Sequence, residues 1–256
     1  MNDRIVLSDA DVRFGRTGTV LAVRHLELEP GRVTVVTGLS GSGKSTLGHA
    51  FSGLLPYLPA SSQGMVHFGD TSLSLGDRKA WAGVRGRKVR WIPQEPARVF
   101  TPTRIILPQM LEGIEDQEAV FEILDRLLKV TGLPDRERLS TLYPFELSGG
   151  MLQRAAVISA FAPRPLLVVA DEPTAHLDPP GALILARIVT SLARHASAAV
   201  LWITHDLRLA AALGDRVIHL TKGRIDADGS PRDLLDPSGE NPLPMVRSAA
   251  RLAMPV

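Results

Sequence analysis

Cysteine is absent from the 256-residue chain. That removes disulfides, thiolate zinc sites and cysteine nucleophiles together, and it fits a reducing compartment. Long apolar runs are missing too. The longest, at 166–170 and 198–203, fall well short of the roughly 18–20 residues a membrane span needs. The opening Met1-Asn2-Asp3-Arg4-Ile5-Val6 lacks the basic-then-apolar pattern of a secretory signal. A soluble, cytoplasmic chain is therefore expected, with any membrane role exercised through a partner. Charge of one sign is scarce: 29 Lys and Arg stand against 27 Asp and Glu, a formal net charge of +2. So slight an excess, with its arginines scattered, does not mark a nucleic-acid or anionic-membrane protein. Internal repeats and low-complexity blocks are lacking as well.

What is present is enough for a real core. Hydrophobic residues make up 45% of the chain, with 22 Gly and 19 Pro as punctuation, which suits one large α/β domain or two small ones. Alternating apolar and polar residues predict strands at 5–7, 10–14 and 22–28. Pro30-Gly31 then turns the chain into an apolar run at 33–36 suited to a buried strand. Leu47, Ala50, Phe51 and Leu54 recur at helical spacing, with Pro56 expected to end that helix. The middle, 97–161, reads as mostly helical, with an amphipathic helix at 119–130 and another at 151–161 stopped by Pro163 and Pro165. Strands are predicted at 166–170 and 199–204, separated by a helix at 182–193. A hairpin is predicted around Thr221-Lys222, joining 216–220 to 223–227. From Pro231 a Pro- and Gly-rich tail with one short helix follows. Strands alternating with helices predict a largely parallel sheet with crossover helices.

Three passages carry chemistry. Gly38-Leu39-Ser40-Gly41-Ser42-Gly43-Lys44-Ser45-Thr46 fits G-x-x-x-x-G-K-[ST] between a predicted strand and a predicted helix. Glycines let consecutive N–H groups point at a phosphate, and the helix N-terminus adds its dipole. Lys44 is expected to reach the β/γ-phosphates and the Ser45 hydroxyl to ligate Mg²⁺. Next, the apolar strand at 166–170 ends in Asp171-Glu172. Asp171 suits a Mg²⁺ held through water, and Glu172 suits a general base for the attacking water. Finally, Leu147-Ser148-Gly149-Gly150-Met151, with Gln153-Arg154, opens a predicted helix as a second backbone cradle for an anion.

Here the chain resembles the ABC ATPase family, over roughly residues 4–235. The resemblance implies a P-loop NTPase of α/β class, with a RecA-like core, an N-terminal antiparallel β part and a helical subdomain inserted at about 97–162. Residues 236–256 would form a C-terminal tail. It also implies ATP and Mg²⁺ as ligands, with Ser148, Gly149 and Gly150 serving the γ-phosphate held by the opposite subunit. Gln94, in Trp91-Ile92-Pro93-Gln94-Glu95-Pro96, would contact Mg²⁺ and the attacking water. Asp178, in Ala175-His176-Leu177-Asp178, would cross the dimer interface. His205, in Ile203-Thr204-His205-Asp206, would contact the γ-phosphate, and Phe14 would stack on adenine. Taken alone, His205 also reads as a core histidine at a strand end, and Phe14 as a buried ring.

Arg85-Gly86 leading to the Gln94 passage, Tyr143-Pro144 before Glu146-Leu147, and the predicted hairpin look closest to the peptide/nickel import subfamily. Met151 departs from the family's usual Gln, Leu152 from its frequent Arg, and His176 from a small residue. The long cysteine-bearing C-terminal extension of many oligopeptide importers is missing, which points to the metal or short-peptide branch. The implied partners are a second ATPase subunit (identical or paralogous), two transmembrane permeases docked near 95–112, and an extracytoplasmic binding protein. That places the chain peripherally on the cytoplasmic face of the cell membrane. A non-transport ABC ATPase acting on nucleic acid or ribosomes is the alternative. Tandem cassettes, a long coiled coil or a strongly basic surface would favour it, and the sequence has none of these. A GTPase is disfavoured because no Asn-Lys-x-Asp motif occurs.

Overall fold

The computed structural model describes residues 4–15, 18–95, 98–114 and 116–247. Pro96 and Ala97, at the start of the expected docking segment and helical insert, lie outside the described residues, as do 248–256 of the expected tail.

The first part is an antiparallel sheet. Strands β1 (Ile5–Phe14) and β2 (Thr19–Leu28) pair with each other, and β4 (Ala60–Phe68) and β5 (Thr71–Ser74) complete the order β2-β1-β4-β5. The two short strands expected at 5–7 and 10–14 are one. A register shift between Ser8 and Asp11, with Asp9 at φ 50°, bends β1 without ending it. Such an extra residue breaks the apolar alternation while the ladder continues.

The second sheet has the order β10-β9-β3-β8-β7-β6. Strands β3 (Val33–Thr37), β6 (Val89–Ile92), β7 (Leu167–Asp171), β8 (Ala199–Ile203) and β9 (Arg216–Thr221) run parallel, and β10 (Arg224–Gly229) returns antiparallel. The hairpin turn falls on Lys222-Gly223, one residue later than the sequence suggests. Both have positive φ, the pairing a tight two-residue turn requires.

Helix α1 (Lys44–Ser52) lies between the two sheets. It stops at Gly53, φ 66°, and not at Pro56, which lies inside the next 3₁₀ turn, Leu55–Tyr57. A Cβ on Gly53 would stand 2.2 Å from the buried Trp81 ring, so close packing as well as the left-handed cap demands glycine there. Trp81 sits on the short helix α2 (Arg78–Ala82). Between β6 and β7 the chain inserts α3 (Ile106–Met110), α4 (Glu118–Thr131), α5 (Arg136–Leu139) and α6 (Gly149–Phe161). These close around their own core, including Ile106, Leu124, Leu128, Leu139 and Ile158. Helices α7 (Pro179–Ala196), α8 (Leu207–Leu213) and α9 (Pro231–Leu235) follow, covering the other face of the parallel sheet.

The central strands are apolar throughout because both faces are covered. Leu167 and Val169 face the α1 side, while Val168 and Ala170 face the α6–α7 side. This is a RecA-like core with an antiparallel β part and an inserted helical subdomain. Among the described residues, no helix is long and apolar enough to cross a membrane.

Candidate functional site

The loop between β3 and α1 is shaped by contacts that leave no room for side chains. Gly38 has φ 147°, and a Cβ there would lie 2.4 Å from the Leu220 carbonyl oxygen. Gly43, φ 100°, caps α1, and its Cβ would lie 2.7 Å from the Val20 carbonyl oxygen. The loop therefore folds tightly against β9 and β2, with its N–H groups at the start of the helix. Lys44 bends back into it: Nζ donates to the Gly38 and Leu39 carbonyls, both at 2.9 Å. Burial lowers the Lys44 pKa, and the neighbouring Glu172 and Asp171 carboxylates oppose that shift. Ser42 Oγ is buried with no hydrogen-bond partner among the described residues.

The acidic pair stands at the end of β7. Burial raises the Asp171 carboxyl above the usual carboxylate range. The neighbouring Ser45 hydroxyl pulls it back, as do His49 and Lys44, while Glu172 pushes it further up. Glu172 turns away at φ 46°, with its N–H donating to the Ile203 carbonyl of β8 at 2.9 Å. Its Oε2 is 2.9 Å from His205 Nδ1. A carboxylate can only accept, so Nδ1 carries the proton in this contact. His205 is exposed, with 71% of its side chain accessible, which rules out the core-histidine reading.

A cleft of about 400 Å³ gathers these groups: Ser40, Gly41, Gly43, Lys44, Ser45 and Thr46 from the loop, with Glu172, His205 and Val20. A larger groove of about 660 Å³ lies between α7 and α8, lined by Arg187, Arg194 and His195 among others. Its one carboxylate, Asp215, is already paired with Arg32 and Arg194. The chemistry belongs to the smaller cleft, where an amine, a hydroxyl, a carboxylate and an imidazole converge.

Other candidate residues stand apart from it. Leu39 is 74% exposed on the loop's outer side. Gln94 is exposed just beyond β6, and Phe14 is half-buried against the core between the sheets. Asp178 caps α7, accepting from the Gly181 N–H at 3.2 Å. Ser148 caps α6, accepting from the Met151 N–H at 3.3 Å, and Gly149 beside it is exposed. None of these lines the cleft of the same chain.

The structure adds neighbours that the sequence does not flag. His49 stacks on Trp91 at 5.2 Å, close enough to Asp171 to act on its charge. His219 meets Thr37 Oγ1 at 3.0 Å directly before the loop. Val20 arrives from β2 through the sheet, a placement no local pattern could announce.

Residues 21–175 match the family model described as ABC transporter. The chain belongs to the ABC transporter family. Its sequence is 38% identical over 234 residues to the peptidoglycan transport ATP-binding protein YejF of Agrobacterium fabrum, covering 87% of this chain and 42% of that protein. It is 33% identical to the oligopeptide transport ATP-binding protein AmiE of Streptococcus pneumoniae, covering 98% of this chain and 72% of that one. The chain thus spans less than half the length of the first relative. In fold it is similar to CbiO1 of Clostridium perfringens, part of the CbiONQ complex, with TM-score 0.74, 23% identity, and 89% and 88% of the two chains covered. It is also similar to the dimeric ABC transporter cassette MJ0796, with TM-score 0.72, 24% identity, and 89% and 99% covered. These structures show the ABC cassette fold.

Proposed function

We propose that this chain is the ATP-binding and hydrolysing subunit of a membrane ABC importer for peptides or chelated metals such as nickel. The observation that carries the reading is the convergence of Lys44, Ser45, Glu172 and His205 on one cleft, with Glu172 and His205 in contact. Lys44 uses two of its three donors on loop carbonyls, and it is poised to turn toward the β/γ-phosphates. Loop N–H groups and the α1 N-terminus would hold the phosphate oxygens, and the orphan Ser42 hydroxyl suits a site completed by a ligand. Glu172 would take the proton of the attacking water, with the His205 N–H keeping its carboxylate aimed into the cleft.

The donors also fit Mg²⁺: a hydroxyl and a carboxylate, Ser45 and Asp171, lie side by side, all oxygen as that ion prefers. Gln94 would complete the set. When bound, Mg²⁺ supplies charge neutralisation on the phosphates. The cassette would span 4–235, with its helical insert at about 97–162, and would sit on the cytoplasmic face of the membrane. A second cassette, identical or paralogous, two permeases docked along 95–112 and an extracytoplasmic binding protein complete the assembly. Relatives named for peptide and peptidoglycan transport support peptide cargo.

Replacing Glu172 by Gln tests the core of this reading. ATP binding should persist while hydrolysis falls roughly 10²–10⁴-fold. A variant that turns over at the wild-type rate removes Glu172 from the chemistry. Uptake of labelled di- and tripeptides and of nickel in a deletion strain tests the cargo.

A further inference from the structure

We propose that Gln153 is a positioning residue for hydrolysis: its side-chain amide holds the Pro173 carbonyl and so fixes the turn that presents Glu172. The inference rests on the reading of Glu172 as the base. Gln153 lies on α6, 2% exposed, on a helix whose other buried residues are largely apolar. An amide buried there without a partner is costly, so its one hydrogen bond matters to the residue's placement. That bond runs from Nε2 to the carbonyl of Pro173, twenty residues onward and directly after Glu172.

The turn needs the restraint. Glu172 holds a left-handed φ of 46°, a conformation that is strained for a non-glycine residue. Behind it, the Glu172 N–H is tied to Ile203 on β8. Ahead of it, the Ala175 N–H closes a turn onto the Glu172 carbonyl at 3.1 Å. Between these stands Pro173, which has no N–H of its own to anchor it, and its carbonyl is held from α6. Without that hold the Pro173–Thr174 peptide can shift and let Glu172 relax from its left-handed φ toward the extended basin that a residue before proline prefers, carrying the carboxylate off the His205 contact.

Helix α6 then joins three places. Its first residues are the Ser148–Gly149–Gly150 cradle. Gln153 grips the catalytic turn five residues on, about 7.5 Å along the axis. Ser159 donates to the Met110 carbonyl at the end of α3, at 3.2 Å. A tilt of α6 imposed at either end would therefore be felt at Glu172.

The test uses the full chain purified with its transporter partners, in three variants. Gln153→Met keeps the length and removes the donor. It should lower kcat about tenfold, the loss expected from one hydrogen bond's contribution, with ATP affinity within about twofold. Gln153→Glu adds a second readout, because the carboxyl can donate to Pro173 only when protonated. The ratio of its kcat to that of wild type should rise as pH falls from about 8.5 to 5.5. Wild-type kcat in Gln153→Met overturns the proposal. If Gln153→Met fails to fold, a flat pH ratio for Gln153→Glu overturns it instead. Glu172→Gln separates the two readings: if it stays active, the base assignment has failed. If it is inactive while both Gln153 variants behave as wild type, only the present inference has failed.

Discussion

Single residues here work under burial they would not tolerate elsewhere. Lys44 is itself buried, and its ammonium is solvated there by two loop carbonyls. His219 is the clearest titratable case. It is 5% exposed on β9, facing Thr37, and burial lowers its pKa from the ordinary 6.5, with Lys44 adding to the shift and Asp226 opposing it. The folded chain therefore keeps His219 neutral over a range in which the unfolded chain takes up a proton. Its contribution to stability is complete above the unfolded pKa, and it is lost as pH falls through that value toward the lowered folded one. Thermal melts of wild type and His219→Gln between about pH 5 and 8 should show the variant losing less stability toward acid. His49, whose pKa burial also lowers, is present in both proteins and cancels in the comparison. Parallel curves would mean that His219 is protonated equally in both states.

At the scale of elements, the parallel strands are what hold the cleft's parts in register. Asp171 stands opposite Ile203 across β7 and β8, so the acidic pair and the Thr204-His205 segment are set side by side by one ladder. Trp202 fills the α6–α7 side of β8 at 0% exposure, and its Nε1 has no hydrogen-bond partner among the described residues. Trp202→Ala should cost about 3–5 kcal/mol in urea unfolding. Trp202→Phe removes the same orphan N–H as Trp202→Ala but leaves a smaller void, so it should be markedly milder. Equal losses would mean that void size does not set the cost at this site. Strands β3, β7, β8 and β9 were legible because burial on both faces writes them as mostly apolar runs, whereas β6, Val89-Arg90-Trp91-Ile92, was not, its middle two residues being only partly buried. Strand β4 was illegible because Ala60-Ser61-Ser62-Gln63-Gly64 is half-exposed and polar, and it pairs by position in the sheet. The loop, the acidic pair and the Ser148–Gly149–Gly150 turn were readable because their chemistry fixes residue type and spacing. The contacts of Gln153, His49 and Val20 were not, since each is made only after distant elements pack.

At the scale of the whole molecule, the Lys44 cleft and the Ser148–Gly149–Gly150 turn are separate features. The cleft at Lys44 is lined without any contribution from Ser148, Gly149 or Gly150. A Cβ on either glycine would meet nothing within 4 Å, and Ser148 is exposed, so the cradle stands open in the single chain. Under the proposed function that open surface receives a second cassette's nucleotide. Ser148→Arg is then informative, because the chain itself has room for the larger side chain. The fold loses one modest cap, about 1 kcal/mol, and ATP binding at the variant's own Lys44 cleft should be unaffected. Hydrolysis should be abolished, since the new side chain stands against the partner's γ-phosphate. Mixing sharpens the point where the chain pairs with its own copy. Lys44→Ala lacks a working loop but keeps its cradle, and Ser148→Arg keeps its loop but lacks the cradle. Each should be inactive alone, and together they should recover activity, because a mixed pair contains one complete site. Activity in Ser148→Arg alone at low protein concentration would place the whole of catalysis within one chain. Failure of the mixture to recover, with both variants folded and Ser148→Arg still binding ATP, would show that a half-site cannot be lent across the interface between two copies.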